Sequence, residues 1–150
     1  MDNIEKIFVR LQKFISSHYV LTVHDDLALY LTQQKIEPFY QVLNRYLAYQ
    51  QMTKRSLSAK LQDRRSIYRI YHEKKRVPTK RLVICIAFCL GLTQADFLSF
   101  LHAAGYHLSC HILSDVVVMF CLTEGIYEAV YIDLCMEKVG EKPLFYCYSR

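Results

Sequence analysis

The chain has 150 residues, a formal charge of +5 and an apolar fraction of 53%, enough to build the core of one compact domain with or without a helical extension. Four Gly and three Pro are too few for the many turns of an all-β protein. The longest apolar run, Leu82–Leu92 interrupted by Gly91, falls short of the roughly 18 apolar residues that a membrane span needs, and it reads as a buried core helix. The N-terminus, Met1-Asp2-Asn3-Ile4-Glu5-Lys6, places acids where a secretory signal is basic, and no signal-type apolar region follows. A cytoplasmic location is expected, with the six cysteines reduced. Cys85, Cys89, Cys121 and Cys135 sit inside apolar runs, where a thiol packs as a small hydrophobe.

The first helix is expected over Asn3–His18. Asp2 to Glu5 forms a capping box, and Ile4, Ile7, Phe8, Leu11 and Ile15 recur at helical spacing. A short second helix is signalled from Thr22, with Leu27, Tyr30 and Leu31 on one face. A third starts at Pro38 as first helical residue and runs to about Gln51, with Phe39, Val42, Leu43, Tyr46 and Leu47 as its stripe. A fourth begins between Thr53 and Ser56 and runs through Leu57 and Leu61. Asp63 caps a fifth, Arg64–Glu73, in which Ile67, Ile70 and Tyr71 face inward. Arg64, Arg65, Tyr68, Arg69 and His72 are then left on the open side. Pro78 stops that helix, Thr79 caps the next, Lys80–Leu90, and Gly91 closes it. Thr93 to Asp96 is a second capping box, opening a helix that Gly105 ends. Ser114 is expected to cap Asp115–Leu122, before Gly125, and a last helix covers Glu128–Val139. No repeat, low-complexity linker or strand pattern interrupts this series.

Charge is distributed unevenly. Between Met52 and Arg81 there are 11 Lys/Arg against two acids, Asp63 and Glu73, a net +9 that leaves the other 120 residues at −4. Charge runs usually mark a solvated helical face, but this one coincides with two short helices around a tight turn, the arrangement by which a DNA-binding helix-turn-helix places a basic helix in the major groove. On that reading Arg64, Arg65, Tyr68 and Arg69 meet base edges: Arg takes guanine with two hydrogen bonds, and Tyr gives one bond or packs on a thymine methyl. Lys54, Arg55, Lys60, Lys74, Lys75, Arg76, Lys80 and Arg81 flank the groove and meet phosphates.

The sequence Asp63-Arg64-Arg65-Ser66-Ile67-Tyr68-Arg69-Ile70 is followed by Pro78-Thr79-Lys80 and Leu90-Gly91-Leu92-Thr93. Ala103-Ala104-Gly105-Tyr106-His107-Leu108-Ser109, Asp115-Val116-Val117-Val118 and Gly125-Ile126-Tyr127 complete the series. In this order and spacing, Phe39–Leu144 resembles the phage-repressor-like (Cro/XRE, lambda-repressor-like) helix-turn-helix superfamily, in a bacterial and phage branch with an AGYxLS-type helical extension. The resemblance implies an all-α helix-turn-helix bundle with extra N- and C-terminal helices. It also implies a cytoplasmic regulator of transcription that binds double-stranded DNA, often as a dimer. The chain departs from the family pattern in two places: Leu61-Gln62 stands where a turn glycine is common, and His72-Glu73-Lys74-Lys75 replaces an Asn-Gly after the recognition helix. The organisation expected is an N-terminal helical extension over 1–36, the helix-turn-helix domain with its C-terminal helices over 37–144, and a tail over 145–150.

Other chemistries find less support. His107, Cys110 and His111 with Cys85 and Cys89 could supply zinc ligands, but the paired C-x2-C of a structural site is absent. His24-Asp25-Asp26 fits first-turn acids of a helix as well as an acid/base cluster. No phosphate loop, G-x-S-x-G or H-E-x-x-H occurs. No enzyme activity, cofactor or metal is therefore expected. The rival to DNA binding is a protein-binding module: a small phage-encoded, anti-CRISPR-like inhibitor, or an adaptor, docking its basic surface on a nuclease-type protein. The stripe Ile4, Ile7, Phe8, Leu11 and Ile15 must also be covered, either by the chain's own body or by a second copy in a homodimer, and the aromatic tail from Phe145 is a second candidate for such an interface.

Overall fold

Four of the eight described helices are opened by a side chain that the sequence places one residue ahead of them. In a computed structural model, which describes residues 4–19, 37–74 and 77–145, the Thr53 hydroxyl accepts the Ser56 N–H at 3.0 Å and the Asp63 carboxylate accepts that of Ser66 at 3.0 Å. Thr79 accepts from Leu82, and Thr93 from Asp96, each at 3.3 Å. Each cap satisfies a backbone donor that the helix itself leaves unpaired and is worth about 1 kcal/mol. The helices are α1 (Ile4–His18), α2 (Phe39–Tyr49), α3 (Lys54–Leu61), α4 (Arg64–His72), α5 (Lys80–Leu90), α6 (Gln94–Ala103), α7 (Leu113–Glu124) and α8 (Ala129–Lys138). The fold is all-α, and there is no strand among the described residues.

The described helices form two compact units, divided between His107 and Leu108. One holds α2 to α6. Leu57 and Leu61 of α3 and Ile67 and Ile70 of α4 are buried with the largely apolar α5, whose Val83 to Phe88 are all buried. Phe97, Phe100 and Leu101 of α6 complete this core. Phe100 receives the rings of Phe39 and Tyr46 edge-on, at 5.4 and 5.0 Å between centroids. The Gln50 amide, just past α2, donates to the Leu90 carbonyl at 2.8 Å and so covers an open acceptor at the end of α5. The hydroxyl of Tyr106 donates to the Pro78 carbonyl at 2.6 Å, tying the approach to α5 onto the segment after α6.

The other unit joins α1 to α7 and α8. The helix that the sequence assigns to an N-terminal extension thus packs against the two C-terminal helices. Ile7 and Leu11 are buried there, while Ile4, Phe8 and Ile15 are half-buried. The stripe offered to a second copy is covered in large part within the chain, so it gives no argument for a homodimer. Phe14 meets Phe120 edge-on at 5.6 Å, the Lys138 ammonium lies 5.0 Å from the centre of the Phe8 ring, and Arg10 pairs with Glu124 at 2.8 Å.

Two buried carboxylates organise the loops of this unit. Asp115 accepts the Ser109 N–H at 2.9 Å. Asp133 accepts those of Leu144 and Phe145 at 2.7 and 2.9 Å. Here the sequence reading needs correction: Ser114 lies inside α7, which begins at Leu113 after Ile112 with no side-chain cap. Asp115 spends its carboxylate on the preceding loop. Smaller corrections concern Pro38, which precedes α2 instead of opening it, and Glu128, which precedes α8. Cys121 and Cys135 are buried and in hydrogen-bonding contact, and the bond to Cys135, together with burial, pushes the Cys121 thiol up. The helix expected from Thr22, the capping box at Asp2, the His24 cluster and the tail beyond Phe145 lie outside the described residues.

Leu11 is fully buried against α7 and α8. Leu11→Ala is expected to lower stability by about 2–5 kcal/mol, measured by urea unfolding. A loss below about 0.5 kcal/mol, the scale of exposed sites, would show that the stripe is not core.

Candidate nucleic-acid interface

The geometry of the basic segment begins with two isoleucines. Ile67 and Ile70 lie three residues apart on the nine-residue α4, and both are buried. Their burial fixes the helix's rotation, so Arg64, Arg65, Tyr68, Arg69 and His72 emerge on the exposed side. Asp63 fixes the start of the helix twice, since Ser66 donates to it through both its N–H and its hydroxyl, the latter at 2.6 Å. Between α3 and α4 the chain turns in two residues, Gln62 and Asp63, and Gln62 takes the left-handed conformation at φ 56°.

Helix α4 is flanked on two sides. Toward α3, an open groove of about 950 Å³ is lined by Lys54, Arg55, Arg64, Tyr68 and His72 among others. Toward the start of α5, a smaller cavity of about 240 Å³ is lined by Ser66, Arg69, Thr79 and Arg81 together with apolar residues. Of the basic residues named from sequence, Lys54, Arg55 and Arg64 line the groove and Arg69 and Arg81 the smaller cavity. Lys60, Arg65 and Lys74 are exposed and line neither, nor does Lys80, which opens α5. Lys75 and Arg76 lie outside the described residues.

Several of these side chains already have neighbours. Tyr68, 59% exposed, stacks on His72 with centroids 4.7 Å apart. The Arg69 guanidinium donates through Nε to Glu73 at 2.9 Å. Lys74 lies over the Tyr40 ring at 5.4 Å, and Lys54 over the Tyr71 ring at 4.2 Å. None of the described residues forms an ion pair or side-chain hydrogen bond with Arg64 or Arg65.

Tyr71, expected to face inward, is half-buried and plays a part that the sequence did not indicate. Its hydroxyl donates to Asn44 Oδ1 at 2.7 Å, linking α4 to α2, while its ring supports Lys54 from α3 and meets Tyr40 edge-on at 6.3 Å. Burial pushes its hydroxyl up to about 12. Tyr40 and Asn44 belong to the same small network. Their one signal in the sequence is the i, i+4 spacing on the polar edge of α2, which names no partner.

No family model, curated protein or solved structure matches the chain. The chemistry of this surface lies in its own residues: a helix whose outer face carries the guanidinium groups of Arg64 and Arg65, paired with none of the described residues, and an aromatic ring, with basic side chains on the elements before and after it.

Two outcomes are expected. Gln62→Gly relieves a left-handed conformation that costs an ordinary residue about 1–2 kcal/mol, partly offset by glycine's larger entropy loss. A net stabilisation of up to about 1 kcal/mol should appear as a higher Tm, and a fall in Tm would contradict this account of the turn. Tyr71 ionises near 10.0 when unfolded but near 12 when folded. The unfolded chain thus loses this proton first, so the stability linked to it is complete below pH 10 and is lost as pH rises through 12. Tyr71→Phe should flatten the decline of stability across that window, and a decline parallel to that of the parent protein would remove Tyr71 as its source.

Proposed function

We propose that this protein is a non-enzymatic, sequence-specific regulator that binds double-stranded DNA with α4 in the major groove, as a helix-turn-helix of phage-repressor type. The observation that carries the reading is the orientation of α4. Two buried isoleucines turn Arg64, Arg65 and Tyr68 outward within a segment of net charge +9. A helix with its side chains is about 10–12 Å across and the major groove about 12 Å wide, so α4 fits as a reading element. Guanidinium groups without a partner among the described residues are suited to the two acceptors on a guanine edge.

In this reading Arg64, Arg65, Tyr68 and Arg69 contact bases. Lys54, Arg55 and Lys60 of α3, Lys74 after α4, and Lys80 and Arg81 of α5 contact phosphates, and Lys75 and Arg76 join them by sequence. A single short helix reads few base pairs, so affinity draws heavily on phosphate contacts and falls steeply with salt. Docking of the same basic surface on a nuclease-type protein is the competing outcome. It would appear as a stable stoichiometric protein complex with no retention of duplex.

Arg64→Ala and Arg65→Ala should each weaken discrimination between a preferred and a scrambled duplex by about 1–3 kcal/mol and leave the helical circular-dichroism signal unchanged. Lys60→Ala and Lys80→Ala should weaken binding to both duplexes alike and reduce the salt slope by about one unit. Anisotropy titrations at several salt concentrations separate these two patterns. If all four variants behave alike, the division into base and phosphate contacts is wrong.

A further inference from the structure

Two lysines of the basic segment rest on aromatic rings. The Lys54 ammonium, at the start of α3, lies 4.2 Å from the centre of the Tyr71 ring, and that of Lys74, after α4, lies 5.4 Å from the centre of the Tyr40 ring. The two rings meet edge-on at 6.3 Å, and the bond from the Tyr71 hydroxyl to Asn44 Oδ1 ties the pair to α2. Both tyrosines are half-buried, while both lysines are exposed. Charges from α3 and from the far end of α4 are thereby gathered over one aromatic pair. Tyr40 belongs to α2, an element that the DNA-binding reading leaves without a role.

We propose that Tyr40 and Tyr71 are positioning residues for phosphate contact, holding the Lys54 and Lys74 ammonium groups where a duplex backbone meets them, an inference that rests on the DNA-binding reading. A long, exposed lysine loses rotamer freedom when it settles on a phosphate, and that loss weakens binding. Here part of the loss is met when the chain folds, because each ammonium already rests against a ring. That contact need not break for phosphate to bind. A ring covers one side of an ammonium, which has three donors, and those on the other side remain for phosphate oxygens. The ring is neutral, so the full charge stays on display, as it would not beside a carboxylate. Phosphates occur in every duplex, so the effect reaches all sequences alike.

The test uses the full chain, the preferred duplex from a random-duplex selection, and a scrambled duplex of equal length, in anisotropy titrations. Tyr40→Leu should weaken binding to both duplexes about threefold, whereas Tyr40→Phe, which keeps the ring, should match the parent protein. In a Lys74→Met background Tyr40→Leu should have no further effect, because the side chain that the ring positions is gone. Tyr71→Leu, tested against Lys54→Met in the same way, supplies a second and separate cycle. A loss of equal size with and without Lys74 would place the role of the ring in the packing of α2 and overturn this inference, leaving the DNA reading intact. Unchanged or tighter binding by Tyr40→Leu would overturn it as well, since the rings would then do nothing for the lysines or hold them back from phosphate. If the parent protein retains no duplex at all, the DNA reading is overturned and this inference with it.

Discussion

The burial of Ile67 and Ile70 is the constraint on which the rest of the basic segment depends. With nine residues, α4 is too short to be stable alone in water. It persists because those two side chains enter a core shared with Leu57, Leu61 and α5, and because Asp63 caps its first turn. Once they are seated, helical geometry leaves no choice about the remaining side chains: the three arginines and Tyr68 must face out. The bond from Tyr71 to Asn44 and the ring under Lys54 add a second attachment on the α2 side. The outward display of charge is thus a by-product of where the apolar residues go.

Local features were legible in the sequence, and long-range ones were not. Thr53, Asp63, Thr79 and Thr93 cap as expected because a cap is settled within three residues. Ser114 does not cap because the helix begins one residue ahead of it, at Leu113, where the buried Asp115 bonds the Ser109 N–H of the preceding loop, a contact that no cap pattern reveals. The α1 stripe was visible as a face needing cover, but periodicity does not say which surface supplies it; α7 and α8 do. Tyr71 matched the inward face by spacing, yet its hydroxyl had to find Asn44, 27 residues away. The Arg69–Glu73 pair was within reach of sequence reasoning, since the two are four apart on a helix.

The motifs that carry the family resemblance have physical roles in the fold, whatever the function. Tyr106 holds the carbonyl of Pro78, next to Thr79, the cap of α5. Ser109 receives Asp115, fixing the loop before α7. Gly125 sits at φ 71°, where a residue with a Cβ is strained, and ends α7. These roles are independent of what α4 contacts. The functional claim rests instead on the exposed residues of α4 and on a charge of +9 confined to Met52–Arg81.

The central claim is that α4 reads the sequence of duplex DNA, and selection from a random-duplex pool with the purified full chain tests it most directly. The account predicts retention of duplex at moderate salt and enrichment, over successive rounds, of a short motif containing guanines for Arg64 and Arg65. Retention without enrichment would contradict sequence reading, and absence of retention would contradict DNA binding altogether.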